Sequence, residues 1–361
     1  MRICVDATSL LLRSAGVKNY VYHWMRSLKA ECPEDEITAF PMLGEVGDLD
    51  HERSLLTLRQ TIPRIALLHL CNIRHSPVID YAVRGADVFH ASNLLRNLPR
   101  RMKLTGTIYD MTALLMPEVH TPGNIQAERS FHDRVLKKAD GLIAISESAR
   151  NDAVRLLSLK PERISVIYPG VDQRFFEAAP MRREKPYVLF LGTLEPRKNL
   201  DVLLDAWLEL PRDTREAHDL VIAGPVGWAS DRMLARIRSG IAGVEYVGYV
   251  PERELPALTA GASVFVYPSL YEGFGFPLAQ AMAAGVPCVT SNVSSMPEVA
   301  GSTALLVDPK DSFGMRDAIA RLLGSETMRK DLGTKAKQRA REFTWKNSAE
   351  RSAEFFRCVC G

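Results

Sequence analysis

The stretch SVFVYPSLYEGFGFPLAQAMAAGVPCVTS, residues 263–291, decides the fold. Its pattern predicts a buried strand over Ser263–Ser269, a glycine-containing loop, a helix over Pro277–Ala284 and a second buried strand over Val286–Ser291. Proline suits the first turn of a helix, and Gly285 suits the position just beyond a helix end. A strand, a helix and another strand in this order are typical of a parallel sheet covered by helices, so the stretch predicts an α/β fold.

The same alternation continues towards the N-terminus. One series has strands at Tyr187–Gly192, Asp219–Gly224 and Val244–Val250, with helices at Asn199–Leu208, Asp231–Arg238 and Glu252–Ala260. An earlier series has strands at Arg2–Asp6, Ala86–His90, Leu104–Tyr109, Gly141–Ile145 and Ile164–Ile167, with helices at Asn19–Ala30 and Gln126–Lys138. Each series predicts a doubly wound, Rossmann-like sheet, which binds ligands outside the carboxyl ends of its strands.

A stretch containing proline, glycine and aspartate, Tyr168–Pro186, separates the two series. We place the domain boundary within it, with a first domain over residues 1–172 and a second over 173–344. The amphipathic tail predicts a C-terminal helix, about 345–361, which could pack back on the first domain. Two Rossmann-like domains joined in this way predict a cleft between them.

Charge and composition argue against several classes of protein. The formal net charge of +3 is too small to indicate a nucleic-acid-binding protein. No run approaches the roughly 20 apolar residues that span a bilayer, and Asp6 interrupts the apolar N-terminus, which argues against a signal peptide. The six cysteines are scattered and form no disulfide framework, so we expect a cytoplasmic protein.

The segment Glu52–His75 is basic and apolar by turns and is interrupted by Pro63. A helix packed on the first sheet is the interpretation that we favour. The alternative is a surface that faces a lipid-linked acceptor or the inner face of a membrane.

The segment GTLEPRKN, Gly192–Asn199, is the first candidate for chemistry. It follows a buried strand and precedes a helix, which places Arg197 and Lys198 at the carboxyl end of a strand. Cationic side chains and unsatisfied N–H groups at a helix start both favour a bound phosphate. An exposed basic turn is the simpler alternative.

The loop after the strand Ser263–Ser269 is the second candidate, and it consists of Glu272, Gly273, Phe274 and Gly275. Its glycines let the backbone approach a ligand closely, and the helix that follows favours a diphosphate at its N-terminus. A plain strand-to-helix turn would also contain such glycines. Glu272 is the informative residue, because a carboxylate beside a phosphate is repelled unless it has a task such as accepting hydrogen bonds from sugar hydroxyls.

Five ordered motifs resemble the donor domain of retaining glycosyltransferases of the GT-B fold, in glycosyltransferase family 4. They are GTLEPRKN, VIAGPVGW, VGYVPERELPAL, YPSLYEGFGFP and SNVSSMPEVAG, all between Tyr187 and Asp308. SAGVKNYVYHWMRSL (Ser14–Leu28), ISESARND and VIYPGVD resemble parts of the family's acceptor domain, so the resemblance covers nearly the whole chain. It is strongest to bacterial mannosyltransferase-like members that build cell-surface polysaccharides, and it implies two Rossmann-like domains facing across a cleft.

The resemblance also implies roles for individual residues. Arg197 and Lys198 would neutralise the donor pyrophosphate and so stabilise the departing nucleoside diphosphate. Glu272 would hold donor-sugar hydroxyls, and the amides of Gly273–Gly275 would face the phosphates. Gly16, in the other domain, would close over the same phosphates.

The nucleotide base would be met by the segment around Val250, through its backbone. Glu252 lies where a carboxylate could accept hydrogen bonds from guanine N1–H and N2–H, groups that uracil lacks. A surface role in capping a helix is an equal alternative for Glu252.

Three positions depart from the family pattern. Gln280 replaces a glutamate that is expected to hold the ribose hydroxyls, and one amide oxygen is the weaker acceptor by ~1–2 kcal/mol. Thr193 stands where many members have a cation, so Arg197 is expected to substitute for it. Tyr109 and Asp110 replace a His-Asp pair, which leaves Asp110 as a candidate on the acceptor side.

Two histidines are further acceptor-side candidates, although a structural role is the more common one for each. They are His90 in DVFHAS and His120 in PEVHTPG. The acidic sequence Asp48-Leu49-Asp50 lacks the surroundings of a metal site, and we expect its aspartates to be solvated. No spacing of histidine and cysteine suggests zinc, and we expect neither a metal nor another cofactor.

We therefore predict an enzyme that moves a hexose, with mannose as the best candidate, from a nucleoside-diphosphate sugar to a glycan or lipid-linked acceptor. The resemblance implies retention of configuration. Two alternatives remain open: a nucleotide-sugar-binding protein with impaired catalysis, for which Gln280 would be a symptom, and an epimerase or phosphorylase of the same fold.

Overall fold

The computed structural model describes residues 1–12, 16–44, 46–51, 53–73, 76–92 and 94–361. The chain forms two compact units. The first consists of Met1–Gly170 together with Trp345–Gly361, and the second of Val171–Thr344. The chain passes from one unit to the other twice, after Gly170 and after Thr344.

Strands and helices alternate in both units. The strands are β1 (Arg2–Asp6), β2 (Glu36–Phe40), β3 (Val88–Ala91), β4 (Lys103–Ile108), β5 (Gly141–Ala144), β6 (Ile164–Val166), β7 (Tyr187–Leu191), β8 (Asp219–Ala223), β9 (Val244–Gly248), β10 (Val264–Tyr267), β11 (Cys288–Ser291) and β12 (Ala304–Val307). The α-helices are α1 (Gly16–Glu31), α2 (Leu58–Asn72), α3 (Val78–Ala82), α4 (Thr112–Leu115), α5 (Pro122–Phe131), α6 (Glu147–Leu157), α7 (Gln173–Phe176), α8 (Leu200–Leu208), α9 (Arg212–Ala217), α10 (Asp231–Arg238), α11 (Leu255–Ala260), α12 (Phe276–Ala283), α13 (Met296–Ala300), α14 (Ser312–Leu323), α15 (Glu326–Ala340) and α16 (Trp345–Cys360).

The first unit is built on a parallel sheet with the strand order β2-β1-β3-β4-β5-β6. Strands β3 and β5 are buried along their whole length, as expected for a parallel sheet with helices on both faces. The C-terminal helix α16 packs against α1, and the indole N–H of Trp24 donates a hydrogen bond to Ser352 at 2.9 Å. The chain therefore returns to the first unit to complete its core.

Strand β2 was not predicted from the sequence. It lies at the edge of the sheet, where it pairs only with β1. Its residues alternate between exposed and buried positions, with Ile37 and Phe40 buried and Glu36 and Thr38 exposed. A strand that is buried on one face lacks the continuous apolar run of an interior strand, and this is the signal on which the sequence prediction depended.

The second unit is built on a parallel sheet with the strand order β12-β11-β10-β7-β8-β9. Strands β7, β10 and β11 are fully buried. Helix α12 carries Pro277 in its first turn, and Gly285 just beyond its end has a φ of +75°, so both helix signals in the sequence are confirmed. The strand order reverses between β7 and β10, which is where ligands bind in open α/β sheets.

Two helices differ from their predicted form. Helix α11 begins at Leu255 rather than at Glu252, because Pro256 is tolerated only in a first helical turn. Helix α5 ends at Phe131 and continues as a π-helical turn, His132–Leu136, where a single α-helix was predicted.

Helix α2 runs through Pro63 without interruption. Its start is stabilised by a capping box between Thr57 and Gln60. Cys71 on its inner face is part of the core of the first unit, and Leu67 and Leu68 pack against that core. Of the segment discussed in the sequence, residues 52, 74 and 75 lie outside the described residues.

Candidate active site

Two loops meet where the strand order of the second unit reverses. The loop after β7 contains a 3-10 turn, Pro196–Lys198, and the loop after β10 leads into α12. The amide of Leu270 donates to the carbonyl of Arg197 at 2.9 Å, and the side chain of Asn199 donates to the carbonyl of Pro268 at 3.0 Å. These bonds hold the two candidate segments side by side at the carboxyl edge of the sheet.

Glu272 is the centre of a buried ionic cluster. Its Oε1 atom lies 2.6 Å from Nζ of Lys198, and its Oε2 atom lies 2.9 Å from a guanidinium nitrogen of Arg197. Ser269 and Tyr267 donate further hydrogen bonds to Oε1 at 2.6 and 2.9 Å. The structure thus brings together the three residues that the sequence singled out for catalysis.

The charge state of Glu272 follows from these contacts. Burial raises the pKa of its carboxyl, but the positive charges of Arg197 and Lys198 outweigh burial and lower it to about 2. The side chain is only 7% exposed, so a lone carboxylate there would be costly. Glu272 therefore stays ionised at every physiological pH, as an acceptor of hydrogen bonds.

The two cations have further partners. Arg197 also pairs with Glu195 at 2.6 Å and donates to the carbonyl of Tyr271 at 2.8 Å. Lys198 donates to the hydroxyl of Tyr267 at 2.7 Å. Burial and the neighbouring Arg197 lower the pKa of Lys198, which leaves Glu272 as the main stabiliser of its charge. Two carboxylates thus balance two cations, and a more highly charged anion could replace one of the carboxylates.

The loop before α12 is fixed from both sides. The hydroxyl of Ser294 accepts from the Glu272 amide at 3.0 Å, and Ser295 donates to the Glu272 carbonyl at 2.9 Å. Gly275 adopts a φ of +92°, a left-handed conformation that favours glycine. Phe274 is buried between Phe276 and Phe343, so only its backbone is available for a donor.

The other donor-side candidates lie along the same unit. Thr193 is half-buried two residues after β7, and Gln280 is half-buried on α12, one turn after its start. Val250 and Glu252 follow β9, which is separated from β7 by β8 alone, or about 10 Å. Glu252 lies in a turn outside α11, whose first flanking residue is Glu254.

The remaining predicted site residues belong to the first unit, and each has a different structural environment. Gly16 is exposed at the start of α1, while Ser14 and Ala15 beside it lie outside the described residues. The Oδ1 atom of Asp110 accepts two hydrogen bonds from Thr112, the first residue of α4, at 2.6 Å from its hydroxyl and at 2.9 Å from its amide. His120 is half-buried after a 3-10 turn.

His90 belongs to the core of the first unit. It is 4% exposed, its two ring nitrogens lie 3.0 and 2.9 Å from the hydroxyls of Thr105 and Thr107, and its ring packs on Trp24. Burial lowers its pKa to about 3, so the ring is neutral. We therefore assign His90 the structural role and do not retain it as an acceptor candidate.

Three residues of the cluster were missed in the sequence. Tyr267 is the last residue of β10, and Ser269 lies two residues further along, in the loop before Glu272. That spacing could have identified them beside Glu272. Glu195 is 2% exposed, and only its pairing with Arg197 reveals why a carboxylate is tolerated there.

Comparisons with known proteins identify the family. The model for Glycosyltransferase Family 4 matches residues 14–175, and the model for Glycosyl transferases group 1 matches residues 171–339. The O-antigen chain mannosyltransferase B of Escherichia coli is 32% identical over 326 residues, which cover 86% of this chain and 84% of that protein. The chain belongs to glycosyltransferase family 4. The resemblance noted in the sequence is confirmed.

Two further proteins similar to this family 4 glycosyltransferase have a lower sequence identity. The serotype-specific mannosyltransferase WbdA of Escherichia coli is 28% identical over 77% of this chain, and the match spans only 36% of that longer protein. The structure of sucrose-phosphate synthase from Thermosynechococcus elongatus superposes with a TM-score of 0.76 at 20% identity and covers 99% of both chains. This likeness confirms the predicted GT-B fold with two Rossmann-like domains.

The described residues show neither a membrane-spanning helix nor a cluster of metal ligands. No helix there is long and apolar enough to cross a membrane. No three histidine, cysteine, aspartate or glutamate side chains in the same ranges are grouped so that they could hold a metal ion.

Proposed function

We propose that this glycosyltransferase moves mannose from GDP-mannose to a glycan or lipid-linked acceptor, with retention of configuration and without a metal ion. The observation that carries the proposal is the buried cluster of Arg197, Lys198 and Glu272 where the strand order reverses. The sugar is inferred from the two Escherichia coli relatives, which are both mannosyltransferases.

Donor binding would exchange the partners of the two cations. Arg197 and Lys198 now share Glu272, and a diphosphate offers them more negative charge than one carboxylate does. The glycine loop and the start of α12 would add N–H groups to the same phosphates. Glu272, released from Lys198, would then accept hydrogen bonds from hydroxyls of the mannose.

Transfer would proceed on one face of the sugar. The bond between C1 of mannose and the phosphate oxygen breaks, and its electron pair stays on the departing diphosphate. The acceptor hydroxyl oxygen bonds to C1 from the same side, and its proton passes to the departing phosphate oxygen. Arg197 and Lys198 would stabilise the charge that develops on the diphosphate, and one such group contributes about 10²–10³ in rate.

The nucleoside would extend along the carboxyl edge of the sheet towards β9. Backbone groups at Val250 would contact the base, and Glu252 would accept from the N1–H and N2–H of guanine. Gln280 would contact the ribose hydroxyls through one amide oxygen. This predicts a donor affinity that is weaker than a glutamate would give, by ~1–2 kcal/mol.

The acceptor would be bound by the first unit, for which Asp110 and His120 remain the candidates. Asp110 follows β4 at the carboxyl edge of its sheet, where ligands of such sheets bind. The Oδ1 atom of Asp110 already accepts two hydrogen bonds from Thr112, which fix the direction of the carboxylate.

A direct transfer assay tests the proposal. The full chain is incubated with GDP-mannose and a panel of mannose-containing oligosaccharide acceptors, with and without EDTA, and the product is analysed by NMR. Because GDP-mannose is an α-linked donor, we expect an α-mannosyl product, formed at the same rate in EDTA. UDP-glucose serves as the matched donor control.

Each part of the proposal can fail separately in this assay. A β-linked product would contradict retention, and loss of activity in EDTA that Mg²⁺ or Mn²⁺ restores would contradict a metal-free mechanism. Faster transfer from UDP-glucose than from GDP-mannose would contradict the assigned donor.

A further inference from the structure

The loop that carries Glu272 is fixed by the segment that leads into α13. The Glu272 amide donates to the hydroxyl of Ser294 at 3.0 Å, and the hydroxyl of Ser295 donates to the Glu272 carbonyl at 2.9 Å. The same segment also reaches the other end of the loop, because a Cβ atom on Gly275 would come within 2.3 Å of the methyl group of Met296, the first residue of α13. Both ends of this loop therefore depend on where α13 lies.

Helix α13 is too short to keep its position by itself. It consists of five residues, Met296–Ala300, and an isolated helix of this length is unstable in water. The last carbonyls of a helix have no partner within the helix, so a cation placed at this end stabilises it. The contacts that hold α13 must therefore come from other parts of the second unit.

Arg339, in the last turn of α15, contacts the end of α13. Its guanidinium donates to the carbonyl of Glu298 at 3.0 Å and, over the longer distance of 3.5 Å, to the carbonyl of Val299. The exposed Glu342 accepts from the same guanidinium at 2.6 Å. The planar fork of an arginine can donate to several oxygens in fixed directions, so Arg339 holds the last turn of α13 against α15.

A second set of contacts joins Arg339 to the same loop through two aromatic rings. The guanidinium carbon lies 5.4 Å from the centre of the Phe343 ring, within the range of a cation–π interaction. The Phe343 ring meets Phe274 edge-on, with ring centres 5.4 Å apart and an angle of 84° between the planes. Both rings are only 1% exposed, so neither can shift unless its neighbours shift as well. Phe274 lies between Gly273 and Gly275, in the middle of the loop.

We infer that Arg339 is a positioning residue for Glu272, which it places through α13 and through the contact of Phe343 with Phe274. Its own hydrogen bonds go to α13 and to Glu342, so it acts on Glu272 through other residues. A misplacement of about 1 Å in a group that orients the substrate can cost about a hundredfold in rate, so this arrangement matters for transfer. The inference rests on the proposed role of Glu272 in binding the donor sugar and identifies what keeps that carboxylate in place.

Hydrogen–deuterium exchange of the full chain, without any donor, tests the positioning by itself. Arg339→Met keeps the length of the side chain but removes its hydrogen bonds. We expect the amides of residues 272–275 to exchange about tenfold faster in this variant, because the lost hydrogen bonds of a charged group stabilise the closed form of the loop. Mass spectrometry of the peptides that contain the loop measures the effect.

Arg329→Met is the matched control. Arg329 lies on the same helix, is half-buried as Arg339 is, and donates to the carbonyls of Leu322 and Leu323 at the end of α14, both at 2.7 Å. Its replacement removes the same kind of contact between an arginine and a helix end. Exchange in the loop at residues 272–275 should nevertheless stay as it is in the unaltered protein.

Transfer rates test whether this positioning matters for the reaction. At saturating GDP-mannose, Arg339→Met should lower kcat by about tenfold, and Arg329→Met should leave it unchanged. Arg339→Lys should recover part of the loss, since a lysine can still donate to one of the two carbonyls. In an enzyme that already carries Glu272→Gln, Arg339→Met should cost less than about twofold, because the effects of residues that act through one another are not additive.

Three results would overturn the inference. They are equal exchange of the loop in Arg339→Met and Arg329→Met, an Arg339→Met enzyme with an unchanged kcat, and a full tenfold loss in the Glu272→Gln background. Should Arg339→Met unfold, as circular dichroism would show, Arg339→Lys replaces it, and its loop is expected to exchange faster than that of Arg329→Met. Faster exchange in Arg339→Met, together with an unaltered chain that transfers nothing from GDP-mannose, would contradict the proposed function and support the positioning.

Discussion

The variant Lys198→Met is expected to transfer mannose about a hundredfold more slowly than the unaltered enzyme, or slower still. The methionine keeps the length of the side chain but removes the ammonium that now lies 2.6 Å from Glu272. One group that stabilises charge developing in the transition state contributes about 10²–10³, and a hundredfold loss corresponds to about 2.7 kcal/mol. Initial rates at saturating donor measure the effect.

The effects of Lys198→Met on kcat and on the affinity for GDP distinguish a role of Lys198 in the chemical step from a role in binding alone. Because the charge on the departing diphosphate grows during the reaction, kcat should fall by a larger factor than the affinity for GDP. A loss of affinity with kcat unchanged would contradict a role in the chemical step.

Lys185→Met serves as the control for Lys198→Met, since Lys185 is an exposed lysine of the same unit. It should leave the transfer rate unchanged. Thermal unfolding of both variants should show that the second unit is intact. A Lys198→Met enzyme that is folded and nearly fully active would refute the assignment of the site.

Gly224→Ala is expected to cost the second unit about 3 kcal/mol of stability. Gly224 follows β8 with a φ of +139°, and a Cβ atom there would overlap the Gly192 carbonyl, with its carbon 2.6 Å away. Gly192 begins the loop that carries Arg197 and Lys198. For a unit of this size the melting temperature should fall by about 6–12 °C, and the transfer rate should fall as well.

Gly240→Ala measures the effect of backbone strain in the absence of the close contact that is found at Gly224. Gly240 also has a positive φ, +83°, but a Cβ atom at this position would meet nothing within 4 Å. Its substitution should cost only about 1 kcal/mol and leave transfer unchanged. Equal melting temperatures for the two variants would show that the ends of β7 and β8 are not packed as closely as the structure has them.

Interior strands and their order of appearance could be predicted from the sequence. Strands such as Tyr187–Leu191 and Val264–Tyr267 are continuously apolar because both of their faces are covered, and this pattern is local. The edge strand Glu36–Phe40 was missed because only one of its faces is buried. The spatial order of the strands within each sheet depends on pairing between distant segments of the chain. It therefore could not be predicted from a local sequence pattern.

The candidate site could be predicted only in part. The chemistry of Arg197, Lys198 and Glu272 was apparent, because cations and a carboxylate beside glycines at strand ends are unusual. Their mutual pairing was not apparent, since Lys198 and Glu272 are 74 positions apart and meet only through the adjacency of β7 and β10. The burial of His90 likewise depends on Thr105 and Thr107 of the next strand, β4.

A crystal structure of the full chain with GDP tests the central claim most directly. We expect the diphosphate within hydrogen-bonding distance of both Lys198 and Arg197, beside the first turn of α12, with the contact between Lys198 and Glu272 broken. A diphosphate bound elsewhere, with Lys198 still 2.6 Å from Glu272, would contradict the account.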